Sequence, residues 1–254
     1  MKKTVCIAAL LLAPAAHAWD CAHEKVIDEV LDLSGSEQLE VQAAAGDLTI
    51  RGDRGSEARI RGRVCVSDED WLEQARIVTR GGTRAEIKVD LPTASGWSLT
   101  GGEYATMDLE IDVPATLDLT LKDSSGDTEV VGVASLQVSD SSGDVEIRDV
   151  ERDVVVDDSS GDIEIEDVRG DVTVERDSSG DIEVRGIEGS VLIARDSSGS
   201  IYVRDIGKDA TVDRDSSGDI TAIDVGGDFT VHRDGSGGIE YRNVQGSVSV
   251  PDEG

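Results

Sequence analysis

The sequence predicts an all-β protein: a parallel β-solenoid (β-helix) of about seven regular coils of 17–19 residues, preceded by degenerate N-terminal coils. Three observations predict it. The tetrapeptide Asp-Ser-Ser-Gly recurs with its glycine at Gly126, Gly143, Gly161, Gly180, Gly199, Gly218 and Gly237, the last copy reading Asp234-Gly235-Ser236-Gly237, at spacings of 17, 18, 19, 19, 19 and 19. Aligned on that glycine, β-branched apolar residues fill fixed columns while the columns between them are charged or polar. Glycine, aspartate and serine mark every break, and no apolar stripe of helical period is visible.

The first column, two residues past the glycine, reads Thr128, Val145, Ile163, Ile182, Ile201, Ile220 and Ile239. Four residues past it stand Val130, Ile147, Ile165, Val184, Val203, Ala222 and Tyr241, and seven past it Val133, Val150, Val168, Ile187, Ile206, Val225 and Val244. A second apolar pair follows a further turn, as in Val172 and Val174, Val191 and Ile193, or Phe229 and Val231. Each unit is therefore strand, turn, strand, turn. About five inward side chains contribute roughly 10 kcal/mol, while ordering 19 residues costs about 30 kcal/mol. One unit cannot fold alone, but stacked units share one continuous thin core. An antiparallel meander of hairpins is the alternative, which a constant single period with identical loops makes less economical.

Ahead of this array, Leu39–Val41, Gly46–Ile50 and Ala85–Val89 alternate in the same way without the Asp-Ser-Ser-Gly punctuation and are expected to be degenerate coils. The stretch Ser67-Asp68-Glu69-Asp70-Trp71-Leu72 predicts a short inserted helix with Ser67 as its N-cap. A loop is expected from Thr93 to Gly102, and Met107–Pro114 predicts a strand feeding the regular array. The organisation expected is a signal segment over 1–18, an irregular β-rich cap region over 19–115, and the regular repeats over 116–254, continuous with it.

Residues 1–18 carry Lys2 and Lys3, an apolar run from Val5 to Ala13 and the small-residue site Ala16-His17-Ala18, the pattern of a cleaved export signal. The run is about half the roughly 20 residues that a membrane-spanning helix needs. The expected location is thus outside the cytoplasm: periplasm, outer surface or extracellular space. Cleavage would remove Cys6 and leave Cys21 and Cys65, which in an oxidising compartment predict a disulfide, the alternative being two free buried thiols. Closing that loop is worth about 4 kcal/mol in the chain-entropy treatment.

The chain holds 54 acidic and 24 basic side chains, for a net charge of −30. Such a surface repels phosphate backbones and anionic lipid headgroups, so nucleic acid is excluded as a partner and cations or basic partners are favoured. The expected partner is a cell-envelope or extracellular molecule, and the protein a monomer or weak oligomer.

At this point the residues match a pattern: a strand ending in Val113-Pro114, then tandem Ser-Gly-Asp-[Ile/Val]-Glu-Val units each followed by Val-x-Gly-Asp-Val. This resembles the bacterial β-strand-repeat family of unknown function labelled "putative adhesin", over roughly Leu39 to Pro251. The resemblance implies a parallel β-solenoid of the cell envelope, and it brings no catalytic motif with it.

Stacking would turn the repeats into aspartate ladders, Asp123, Asp140, Asp158, Asp177, Asp196, Asp215 and Asp234 in one row and Asp127, Asp144, Asp162, Asp181 and Asp219 in another. Carboxylates about 4.8 Å apart in water repel by about 0.9 kcal/mol per pair. Arg176, Arg195, Arg214 and Arg233, each directly before a ladder aspartate, could form a counter-row. Alternatively Asp140, Asp144, Asp158 and Asp162 could hold Ca²⁺, whose hard oxygen preference suits them. The plainer role is turn formation, with aspartate accepting backbone N–H bonds and glycine taking a positive φ. The triplets Arg51-Gly52-Asp53 and Arg169-Gly170-Asp171 belong largely to the repeated turn. Beyond the signal segment only His23 and His232 are available for acid–base work, so no Ser-His-Asp set is apparent and no enzyme is expected. The sequence thus predicts an exported, non-enzymatic structural or binding module, with a Ca²⁺-responsive envelope protein and a carbohydrate-active solenoid as alternatives.

Overall fold

The computed structural model describes residues 21–93 and 102–251. The expected signal segment lies outside the described residues, as does most of the expected loop before Gly102. Among the described residues, alternating side chains build 22 strands and one short 3-10 turn. The first seven strands are β1 (His23–Asp32), β2 (Gln38–Gln42), β3 (Leu48–Asp53), β4 (Glu57–Val66), β5 (Arg76–Arg80), β6 (Arg84–Asp90) and β7 (Ala105–Pro114). The regular array follows as β8 (Asp118–Lys122), β9 (Thr128–Val131), β10 (Ser135–Ser139), β11 (Val145–Val150), β12 (Val154–Asp157), β13 (Ile163–Val168), β14 (Val172–Arg176) and β15 (Ile182–Ile187). It ends with β16 (Val191–Ile193), β17 (Ile201–Ile206), β18 (Ala210–Val212), β19 (Ile220–Val225), β20 (Phe229–Val231), β21 (Ile239–Val244) and β22 (Val248–Ser249).

From β8 onward every pairing is parallel, and odd and even strands fall in two separate sheets. The protein is a parallel β-solenoid rather than a meander. Register follows the predicted columns: Val145 pairs with Ile163, Ile147 with Ile165 and Val150 with Val168, and each coil repeats the match. The residues of those columns are buried almost completely up to Val225, and with Val154, Val156, Val172 and Val174 from the facing sheet they form one core. Small branched side chains suit an interior this narrow, and Phe229 is the only aromatic buried in it among the described residues.

The drift in repeat length has two local causes. Val133 and Leu136 stand three residues apart, while the next coil has Val150 and Val154 four apart, which lengthens one turn. The second is a register shift after Val156, where Asp157 pairs with Arg176 and not Glu175, a bulge that carries the extra residue of the 19-residue coils.

The N-terminal region departs from sequential stacking. In one sheet β3 sits between β7 and β9, and in the other β2 sits between β6 and β8. The Met107–Pro114 strand therefore does not feed the array directly: it pairs with β3, and the coil made by β2 and β3 intervenes before β8 and β9. The end of the stack is closed by antiparallel pairs, β1 with β4, β4 with β7 and β5 with β6. The predicted helix shrinks to one 3-10 turn, Glu69–Trp71, capped by Asp68, whose Oδ1 accepts the Asp70 N–H at 3.0 Å. Ser67 is unavailable as a cap because its backbone N–H donates to the Tyr104 carbonyl and its Oγ accepts from the Tyr104 N–H.

Cys21 and Cys65 form the predicted disulfide, with Cα atoms 5.6 Å apart. It ties the segment before β1 to β4, the strand that β1 pairs with.

Candidate functional site: aspartate ladders and outer faces

The two aspartate rows meet different surroundings. Asp123, Asp140, Asp158, Asp177, Asp196 and Asp215 are buried, four of them at 2 % exposure or less. Each follows the last residue of a strand of the second sheet or the short segment after it, and the alternation that buries Leu136 and Val138 buries Asp140 next. From Asp140 onward the Oδ1 atom accepts a serine backbone N–H just ahead: Ser141 to Asp140 at 2.7 Å, Ser159 to Asp158 at 2.6 Å, Ser179 to Asp177 at 3.1 Å and Ser217 to Asp215 at 3.0 Å. These are the expected turn-forming bonds. Burial pushes Asp123 and Asp196 up to about 7 and Asp177 up to about 6, and raises Asp140, Asp158 and Asp215 as well, against the opposing pull of the serine amides. Neighbouring ladder carboxylates add to the rise at Asp196 and Asp177.

The predicted arginine counter-row does not form. Arg176, Arg195, Arg214 and Arg233 are exposed while the aspartates beside them turn inward, and Arg176 binds Asp157 of the preceding coil at 2.9 Å instead. Among the described residues no Lys, Arg or His pairs with a buried ladder carboxylate.

The second row, Asp127, Asp144, Asp162, Asp181 and Asp219, is exposed and forms a staircase. Asp127 Oδ1 accepts the Asp144 N–H at 3.1 Å, Asp144 that of Asp162 at 2.9 Å, Asp162 that of Asp181 at 2.8 Å, and Asp181 that of Ser200 at 2.7 Å. A further staircase through Asp153, Asp171, Asp209 and Asp228 repeats the scheme at the other turn. The repulsion expected between stacked carboxylates is thus offset by amide dipoles of the next coil. Of the four candidate Ca²⁺ ligands, Asp140 and Asp158 point inward and Asp144 and Asp162 stand outside, each pair on its own row. No three His, Cys, Asp or Glu side chains converge as a metal-binding group among the described residues.

A third feature went unread in the sequence. Six residues past each repeat glycine stand Gly132, Asp149, Asp167, Gly186, Asp205, Asp224 and Asn243, all with positive φ, the non-glycines at 54–57°. Only Gly, Asp and Asn occupy this column, and those are the residues that tolerate the left-handed region, which was the available signal. Asn243 Nδ2 donates to Asp224 Oδ1 at 2.7 Å, and a shallow groove runs along this corner past Gly186, Asp205 and Asp224.

On the outer face of the first sheet, Arg148 bridges Glu129 and Glu146, and Arg185 bridges Glu164, Glu166 and Glu183. In the next two coils the same columns hold Tyr202 and Arg204, then Thr221 and Ile223, and the ion-pair network gives way to a less charged stretch. Both Arg-Gly-Asp triplets are tied into the fold by side-chain bonds. Arg51 lies in β3 and pairs with Glu129, Asp53 accepts the Gly55 N–H, Arg169 pairs with Glu151, and Asp171 accepts the Ser190 N–H. His23 lies in β1, on the first strand of its sheet, and His232 lies beside Asp213 in the last coils, 3.7 Å from its carboxylate.

Fold and site together define a parallel β-solenoid whose repeated polar residues serve its own backbone. The chain belongs to the Toastrack DUF4097 family, whose model matches residues 36–233. Comparison with curated proteins found no match. Among solved structures, the chain is similar to a "putative lipid binding protein" of Parabacteroides distasonis at 16 % identity and a TM-score of 0.43, covering 90 % of this chain and 97 % of that one. It is also similar to a "putative adhesin" of the same organism, at 11 % identity and a TM-score of 0.40, with 89 % and 97 % covered. A third is a "putative cell adhesion protein" of Clostridium sporogenes, at 13 % identity and a TM-score of 0.31, with 90 % and 99 % covered. Likenesses this distant transfer no residue role.

Proposed function

We propose that the protein is an exported, non-enzymatic module of the cell envelope, a rod that presents flat, strongly acidic outer faces to an envelope or extracellular partner. The observation that carries this reading is how the polar repeat is used. Its serines and aspartates engage backbone amides, its Val and Ile columns fill the interior, and the outward charged rows are left as the surface for recognition. Without residues 1–18 the chain holds 22 basic and 54 acidic side chains, a net of −32, so a basic partner surface is favoured and binding should weaken with salt.

The test is expression of the full chain in a bacterium, followed by fractionation and binding of the purified product to isolated envelopes. The expected result is a product beginning at Trp19, recovered outside the cytoplasm with Cys21 and Cys65 joined, whose envelope binding falls as salt rises. Unprocessed cytoplasmic protein, or salt-insensitive binding, would contradict the reading.

The Ca²⁺-responsive alternative at Asp140, Asp144, Asp158 and Asp162 would show as a rise in melting temperature with millimolar Ca²⁺ over EDTA, but two of these carboxylates are buried, two are exposed, and no third ligand converges on either pair among the described residues. A carbohydrate-active solenoid would instead release reducing ends from a polysaccharide panel.

A further inference from the structure

The buried row poses a problem of charge that the rest of the fold leaves open. Asp140, Asp158, Asp177, Asp196 and Asp215 each have one carboxylate oxygen bonded to a serine amide, while the other, Oδ2, is buried without a hydrogen-bond partner. At Asp123 both oxygens are in that state. An ionised oxygen withdrawn from water and left unpaired costs several kcal/mol, and a file of them one coil apart adds mutual repulsion. The charged groups facing the column bring no relief: Asp47 at Asp123, Asp127 at Asp140, Asp157 at Asp158, Asp162 at Asp177 and Asp234 at Asp215 are all acids, and only the Thr128 hydroxyl, at Asp123, favours the charged form.

Two remedies are closed by the geometry. The arginines next to the column turn to solvent. A Ca²⁺ ion takes 6–8 oxygen ligands, whereas the column offers about one free oxygen per coil and no convergent third ligand among the described residues. The proton remains. A carboxyl that takes one from water becomes a donor at its free oxygen, and the carboxylate one coil away is an acceptor within the same dry column.

We propose that this column is a proton-binding site running the length of the regular coils, in which carboxyl groups of successive coils share protons, and that filling it on mild acidification tightens the rod. The sign follows from the direction of the shifts. Burial raises all six groups above the value near 3.9 that they hold in an unfolded chain, so between about pH 4 and 7 the folded state binds more protons than the unfolded one. Stability therefore rises as pH falls through that window, and the gain levels off below pH 4, where both states are protonated.

The test is urea unfolding of the disulfide-intact protein between pH 8 and pH 5, for wild type, Asp177→Asn/Asp196→Asn, and Glu175→Gln/Glu188→Gln. The last removes the same charge from exposed positions. The expected result is a wild-type midpoint that climbs on acidification, a ladder variant with a higher midpoint at pH 8 and a flatter profile, and a control that keeps the wild-type slope. A wild-type midpoint that does not climb, or a control that flattens as much as the ladder variant, overturns the proposal. If the ladder variant does not fold, infrared spectra of the wild type at pH 8 and about pH 6 decide: a carbonyl band from protonated carboxyl groups that grows on acidification supports the proposal, and its absence at the lower pH overturns it. Stabilisation by Ca²⁺ with no response to pH would also overturn it.

Discussion

Gly161 rests on Gly143 so closely that a Cβ on Gly161 would fall 1.8 Å from the Gly143 carbonyl oxygen. The residue also has φ of +130°, a region essentially reserved for glycine. Gly161→Ala is expected to cost more than about 3 kcal/mol, combining backbone strain with forced separation of two coils. Gly35→Ala is the control: its φ is +87° but nothing stands within 4 Å, so about 1 kcal/mol is expected. Urea unfolding of the two variants measures the difference.

The staircase makes a separate prediction, because its value lies in the oxygen and not in the charge. Asp162 Oδ1 accepts the Asp181 N–H at 2.8 Å. Asp162→Asn keeps that acceptor and is expected to stay within about 0.5 kcal/mol of wild type, whereas Asp162→Ala should lose about 1 kcal/mol. Exchange of the Asp181 amide, faster in the alanine variant alone, is the matching local readout.

In the core, Ile165 is fully buried between Ile147 and Val184 of the adjacent coils. Ile165→Ala is expected to cost 2–5 kcal/mol, roughly the range for a large-to-small change that leaves a cavity. Coils interact only with their neighbours, so the loss should appear as faster amide exchange centred on β11, β13 and β15.

The disulfide should act on the cap rather than on the rod. Its loop spans 44 residues of sequence separation and joins the segment before β1 to β4. Cys21→Ser/Cys65→Ser is expected to cost about 2–4 kcal/mol, with amide protection lost in β1 and β4 and kept in β13 to β19.

The regular half of the fold was legible because each coil repeats one local pattern: Ile163, Ile182 and Ile201 stack because period-two alternation and constant spacing leave them a single inward column. The same alternation ran through Leu136, Val138 and Asp140 and would have placed the aspartate inside; the adjacent arginines in later coils suggested an ion-pair row instead. The left-handed column at Asp149 and Asp167 was written in residue type alone, and amid so much Gly and Asp it did not stand out. Placement of β3 between β7 and β9 depends on long-range pairing, which no local pattern encodes. Ser67 lost the cap to Asp68 for a similar reason, since its partner, Tyr104, lies 37 residues away.

Stacking of parallel coils is the claim on which all of this rests, and a single distance tests it. Nitroxide labels at Glu164 on β13 and Glu240 on β21 would sit in matching positions of strands four coils apart, joined by the register Glu164, Glu183, Tyr202, Thr221, Glu240. At about 4.8 Å per coil, pulsed electron resonance should give a distance of about 19 Å. In a meander the intervening strands would all lie in one sheet, and a distance of about 38 Å would contradict the solenoid.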